Sequence, residues 1–129
     1  MTTGVVLLNF GEPSEPDREA VVDYLERIFM ANADLEEYDS REAARQRSRK
    51  LAERRAPGLI EEYEEIGGSP LNEQAQWQVE ALEDALRERD FDVCTYLGMQ
   101  YTEPFIGDAA EAAHEDGVDR VIGLPIYPL

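Results

Sequence analysis

The chain has 129 residues, 43% of them hydrophobic, with 29 acidic against 12 basic side chains and a formal charge of −17. That length allows one core-bearing domain at most and is short for a complete two-lobed enzyme, while the charge argues against general nucleic-acid binding and suits a protein working in high salt, where screening relieves self-repulsion. A single cysteine excludes an internal disulfide and makes a reducing cytoplasm the default; the start Met1-Thr2-Thr3-Gly4 has no basic leader, and no apolar run reaches the length of a membrane span.

Gly4 to Phe10 is a continuous apolar run, the pattern of a strand buried on both faces of a parallel sheet. Phe10, at its end, belongs either to the core or to the carboxyl edge of the sheet, where open α/β folds bind ligands. Ser14-Glu15-Pro16 predicts the start of a helix with Val21, Val22, Leu25, Ile28 and Phe29 on one face, Phe29 as core packing. Asp39 to Arg55 carries seven of the twelve basic residues and predicts a helix ended by Pro57-Gly58. The planar fork of arginine suits a carboxylate, although a solvated face pairing with the acidic surface accounts for most of the seven. Leu59 to Glu65 predicts a short acidic helix carrying Tyr63, either a hydroxyl donor to a ligand or an ordinary half-buried tyrosine.

Gly67 and Gly68 permit a tight turn, with Ser69 predicted as N-cap and Pro70 in the first turn of the next helix. Such a helix start can hold a carboxylate or phosphate, or be no more than a turn. Leu71, Ala75, Val79, Leu82 and Leu86 recur at helical spacing to about Asp90, with Trp77 off the stripe and expected in a second contact. Phe91 to Gly98 predicts a strand with Cys94 as a buried structural thiol; Tyr101 follows at its carboxyl end, on the same edge as Phe10 and Ser69 if the strands are parallel. Thr102 is expected to cap a helix with Pro104 early in it and a stop at Gly117. His114, the only histidine, falls at its far end as a surface residue, and Asp119 to Tyr127 is the third strand. The order of strands and helices predicts a three-layer, Rossmann-like α/β domain over residues 1–129, with a parallel sheet flanked by helices. No phosphate loop or dinucleotide fingerprint follows any strand, and one histidine with one cysteine leaves no preformed nitrogen/sulfur metal site.

Six stretches carry a resemblance in order: Leu7-Leu8-Asn9-Phe10-Gly11-Glu12-Pro13; Tyr24-Leu25 to Phe29-Met30; Arg54-Arg55-Ala56-Pro57; Tyr63 to Leu71 with its Ile66-Gly67-Gly68-Ser69-Pro70 core; Gly98 to Ile106; and Leu124-Pro125-Ile126-Tyr127-Pro128. Together they resemble the ferrochelatases, which insert ferrous iron into a porphyrin to make haem, over nearly the whole chain. The resemblance implies a chelatase-like fold, the N-terminal lobe of a two-lobed enzyme, and porphyrin and ferrous iron as substrates with no cofactor. It implies that Phe10 lies by the porphyrin face, where a phenylalanine can pack but not coordinate, and that Arg55, with Arg54 beside it, contacts a propionate. Tyr63, Ser69 and Tyr101 complete the implied substrate-binding set, although Glu62, Glu64 and Glu65 stand where family members commonly have basic residues beside the tyrosine. Phe29-Met30 leans towards protoporphyrin IX over coproporphyrin III, whose enzymes can carry arginine near there. In some members this region touches a membrane, so a cytoplasmic chain peripheral to the membrane fits. The key histidine and glutamate of the family belong to the second lobe and match nothing here, so no catalytic and no metal-binding residue is assigned. Two other readings stand beside this one: a half-size chelatase whose site forms between two copies, and a porphyrin or haem carrier without catalysis.

Overall fold

Within the computed structural model, which describes residues 1–13, 15–33 and 39–127, β1 (Thr3–Asn9) is the middle strand of a three-stranded parallel sheet. β2 (Val93–Met99) and β3 (Arg120–Pro125) flank it, with Leu7 opposite Leu97 on one side and Leu124 on the other. β1 is buried along nearly all its length, as a continuous apolar run requires of a strand with a neighbour on each side. Val5, Leu7, Leu97 and Met99 pack on Ala75 and Val79 of α3 (Leu71–Arg87). On the opposite face α4 (Ile106–Glu115) comes down on glycines: a Cβ on Gly98 would lie 3.2 Å from the Ile106 Cα, and one on Gly4 3.6 Å from the Ala113 Cβ. Helix, sheet and helix thus form the three layers expected.

The chain divides into two compact units, the sheet unit (Met1–Gly11 with the residues from Pro70 on) and a helical unit, Glu12–Ser69. The helical unit is a pair, α1 (Arg18–Ala31) on α2 (Arg41–Glu65). Val21, Val22 and Leu25 meet Ala52 and Ala56, with Tyr24, Phe29, Leu59 and Ile60 closing the cluster, so Phe29 is core packing as expected. Arg49 pins the pair from outside: its guanidinium lies 2.7 Å from Asp23 and 2.9 Å from Glu26, and these carboxylates push its pKa further up.

Several helix limits differ from the sequence reading. Ser14 lies outside the described residues, and α1 is capped by Asp17, whose Oδ1 accepts from the Ala20 N–H at 3.0 Å. Residues 41–65 form one helix and not two, because the small-residue stripe Ala44, Ser48, Ala52, Ala56 runs on into Leu59 and Ile60, and packing against α1 outweighs the lost hydrogen bond at Pro57. In α3 Pro70, one residue past Ser69, stands at the N-cap position. Thr102 does not cap α4, and Pro104 precedes the helix: the Asp108 carboxylate accepts from the Phe105 N–H at 2.9 Å. The stop at Gly117, with φ +70°, is as expected. Cys94, on the edge strand β2, is half-buried and not buried, and Trp77 is 58% exposed.

α3 is stapled to β2 through Glu83. Its carboxylate accepts from the Thr95 hydroxyl at 2.7 Å and the Thr95 N–H at 2.8 Å, with Arg87 also 2.7 Å away. The Thr95 hydroxyl foremost, then its N–H and the Arg87 charge, hold the Glu83 carboxyl below the ordinary glutamate range against the opposing effect of burial. A depressed folded-state pKa stabilises above the unfolded value and is lost as pH falls through the folded one. Glu83→Gln should therefore lower the melting temperature by a few degrees at pH 7, and the gap to the parent should be smaller at a pH well below the ordinary glutamate range. A gap of the same size at both pH values would assign the effect to shape and not to charge.

Candidate functional site

Past the end of β1 the Asn9 side chain, itself buried, accepts from the Phe10 N–H at 2.8 Å, and Gly11 turns the chain at φ +80°. Backbone bonds tie both neighbouring strands to this turn: Gln100 N–H to Asn9 C=O and Tyr101 N–H to Phe10 C=O, each at 2.9 Å, and Ile126 N–H to Leu8 C=O at 3.0 Å. Three aromatic rings are thereby delivered to the carboxyl edge. Phe10 stacks on Tyr127 with centroids 4.5 Å apart and planes 18° off parallel, and on Tyr101 at 6.0 Å and 22°. Phe10 keeps 39% of its surface exposed, so it is a shelf residue and not core. An aromatic shelf at the carboxyl edge of a parallel sheet is a place for a flat apolar ligand.

Phe10 and Tyr101 therefore meet as expected. Tyr127 joins them although the sequence reading left it inside the third strand. The register offered the signal, because Leu8 pairs with Pro125 and two steps further on Phe10 comes opposite Tyr127.

Arg54, Arg55, Tyr63 and Ser69 belong to the helical unit, on the second half of α2 and the turn after it. Arg54 and Arg55 are exposed and, unlike Arg49, have no carboxylate partner among the described residues. Tyr63 stands eight residues beyond Arg55, about 12 Å of helix rise. It is half-buried; burial foremost, then the nearby Glu12, Tyr24 and Glu62, push its phenol up to about 12. It stays a protonated hydroxyl at neutral pH, able to donate to a carboxylate.

The glycines after α2 make the tight turn expected of them, both at positive φ, and the same turn closes the helix. Gly67, at φ +73°, donates to the Glu64 carbonyl at 3.3 Å, and Gly68 donates to the Tyr63 carbonyl at 2.8 Å, the paired pattern that closes a helix C-terminus. The turn thus ends α2 and fixes the backbone of Tyr63; Ser69 follows it, half-buried.

Other chemistry-bearing residues lie elsewhere. His114 is exposed in the last turn of α4, at the end opposite the shelf. The Tyr96 hydroxyl donates to Asp116 at 2.6 Å near that same end, and burial and this carboxylate raise its pKa. Among the described residues no group of three or more histidine, cysteine, aspartate or glutamate side chains is placed to hold a metal ion, and no helix is long and apolar enough to cross a membrane.

The family model for ferrochelatase matches residues 2–129. The chain belongs to the ferrochelatase family. It is 36% identical over 130 residues to "Ferrochelatase-2, chloroplastic" of Oryza sativa subsp. indica, covering 97% of this chain and 24% of the rice protein. It is 33% identical over 126 residues to the ferrochelatase of Gloeobacter violaceus and 32% identical over 128 residues to that of Actinobacillus pleuropneumoniae serotype 3, covering 38% and 40% of those relatives. The chain thus spans about a quarter to two fifths of the length of these relatives.

Proposed function

We propose that this chain supplies one wall and the carboxylate-binding part of the porphyrin cleft of a ferrochelatase, as the N-terminal part of a two-lobed enzyme that inserts ferrous iron into protoporphyrin IX. The observation that carries it is the exposed Phe10 ring stacked with Tyr101 and Tyr127 at the carboxyl edge of the sheet. A macrocycle is a flat π surface and stacks on such a shelf. Its propionates need charged forks and hydroxyl donors, the part that the family resemblance gives to Arg55, Arg54 and Tyr63: the two arginines are exposed with no carboxylate partner among the described residues, and Tyr63 keeps its proton. Inserting the metal releases two pyrrole N–H protons, which a base must take. The shelf rings of Phe10, Tyr101 and Tyr127 bring no carboxylate or imidazole to serve as that base, so these residues bind and orient the ring, and in this reading proton removal falls to the family histidine and glutamate of the second lobe. The net charge points to a high-salt cytoplasm as the working environment.

Titrating metal-free protoporphyrin IX into the purified chain in high salt, followed by fluorescence, tests this reading. Arg55→Ala should weaken binding about tenfold, the value of a charge-assisted pair open to solvent, and added zinc should not be inserted faster than in buffer. No binding by a chain shown folded by circular dichroism would sink the cleft assignment. Accelerated insertion would mean that a complete site forms without further sequence, as in a half-size enzyme.

A further inference from the structure

We infer that Tyr127 is a positioning residue of this site: its ring sets the plane of Phe10 and hence the plane in which a macrocycle lies on the shelf. The inference rests on reading this edge as the macrocycle face. Three observations lead to it. Of the two rings on Phe10, Tyr127 is the nearer by 1.5 Å between centroids, 4.5 against 6.0 Å, and the closer to parallel, 18° against 22°. It therefore has the larger hold on the orientation of Phe10.

The backbone under it is fixed. Ile126 donates to the Leu8 carbonyl and packs against the cluster of Val5, Leu7, Leu97 and Met99, so the residue that bears Tyr127 is anchored in both sheet and core. The Phe10 backbone is held through its N–H and C=O, but its ring is 39% exposed and Gly11 after it brings no side chain against it, so its plane is set by the rings stacked on it. An exposed ring beside a glycine turn keeps one plane only if something packs on its face, and Tyr127 does so. A shelf whose central ring is held flat offers a porphyrin a prepaid orientation, whereas a loose one must be ordered on binding.

The role is of the ring and not of the hydroxyl, which makes it separable by substitution. Tyr127→Phe keeps the stack and Tyr127→Leu removes it at similar bulk. In the full chain, protoporphyrin IX affinity should be unchanged in Tyr127→Phe and three- to tenfold weaker in Tyr127→Leu, the range an aromatic pair contributes. The proton resonances of the Phe10 ring should shift in Tyr127→Leu alone, before any porphyrin is added, as the ring current of its neighbour disappears. Equal affinity of Tyr127→Leu and the parent, or Phe10 resonances that do not move, would overturn the inference. If the parent itself binds no porphyrin, the macrocycle reading fails, and the Phe10 resonances alone decide whether Tyr127 holds that ring.

Discussion

Gly11→Ala should lower the stability of the sheet unit by about 3 kcal/mol, a fall of roughly 10 °C in melting temperature, and weaken porphyrin binding at the same time. Two costs combine. At φ +80° an L side chain is strained. A Cβ there would also lie 2.3 Å from the Thr102 Cγ2 and within 3.2 Å of the Met99 Cβ. Met99 is 1% exposed, inside the α3 side of the core, and cannot retreat; Thr102 is β-branched and has few rotamers to choose from. The loop must therefore lift, and Phe10 is the residue before it. Gly58→Ala is the control: it lies within α2, nothing stands within 4 Å of its Cβ, and alanine is the better helix former by about 1 kcal/mol. Thermal unfolding and near-ultraviolet circular dichroism of both variants decide the matter. An unchanged melting temperature and aromatic signal in Gly11→Ala would remove the steric basis assigned to this turn.

The two variants also mark where sequence and structure agree. The strands were legible, because long apolar runs bounded by glycine and proline admit few other readings, and so was α3, whose apolar residues recur without interruption from Leu71 to Leu86. The join at Pro57-Gly58 was not. Proline and glycine are strong local stop signals, whereas the stripe that carries α2 through them is made of Ala44, Ser48, Ala52 and Ala56, residues that register weakly in any hydrophobic pattern but allow a close helix approach. β3 is the strand the sequence predicts, but Val121, Ile122 and Leu124 are 50%, 46% and 41% exposed, because α3 and α4 lie over β2 and β1. Ile126 donates towards β1, so by alternation Val121, Gly123 and Pro125 direct their backbone outward, and Pro125 sits where its missing N–H breaks no ladder bond.

Of the residues that the motifs single out, Phe10 and Tyr101 stand together at the sheet edge, while Arg54 and Arg55, in the helical unit, are exposed without carboxylate partners among the described residues. Tyr127 was missed because it closes a strand and looks like its last buried member. Only the register between strands, a long-range property, brings it opposite Phe10.

Raising potassium chloride from 0.1 to 1 M should raise the melting temperature by about 10 °C, with little further gain beyond, as the screening length falls from about 10 Å to about 3 Å. The sheet unit has thirteen acidic residues against three basic ones, so its surface repels itself. The helical unit relieves more of its charge internally: Arg49 alone takes Asp23, Glu26 and Glu53, and Arg45 shares Glu26. Saturation near 1 M separates screening from the exclusion of salt from the protein surface, which continues to grow with concentration. Glu115→Lys should reproduce part of the effect at low salt, since it removes an anion from the negative end of α4 and from the neighbourhood of Asp116. It should also shrink the response to salt. A melting temperature that is flat or falls with potassium chloride would show that the carboxylates do not limit stability, and would remove the physical ground for placing this protein in a high-salt cytoplasm.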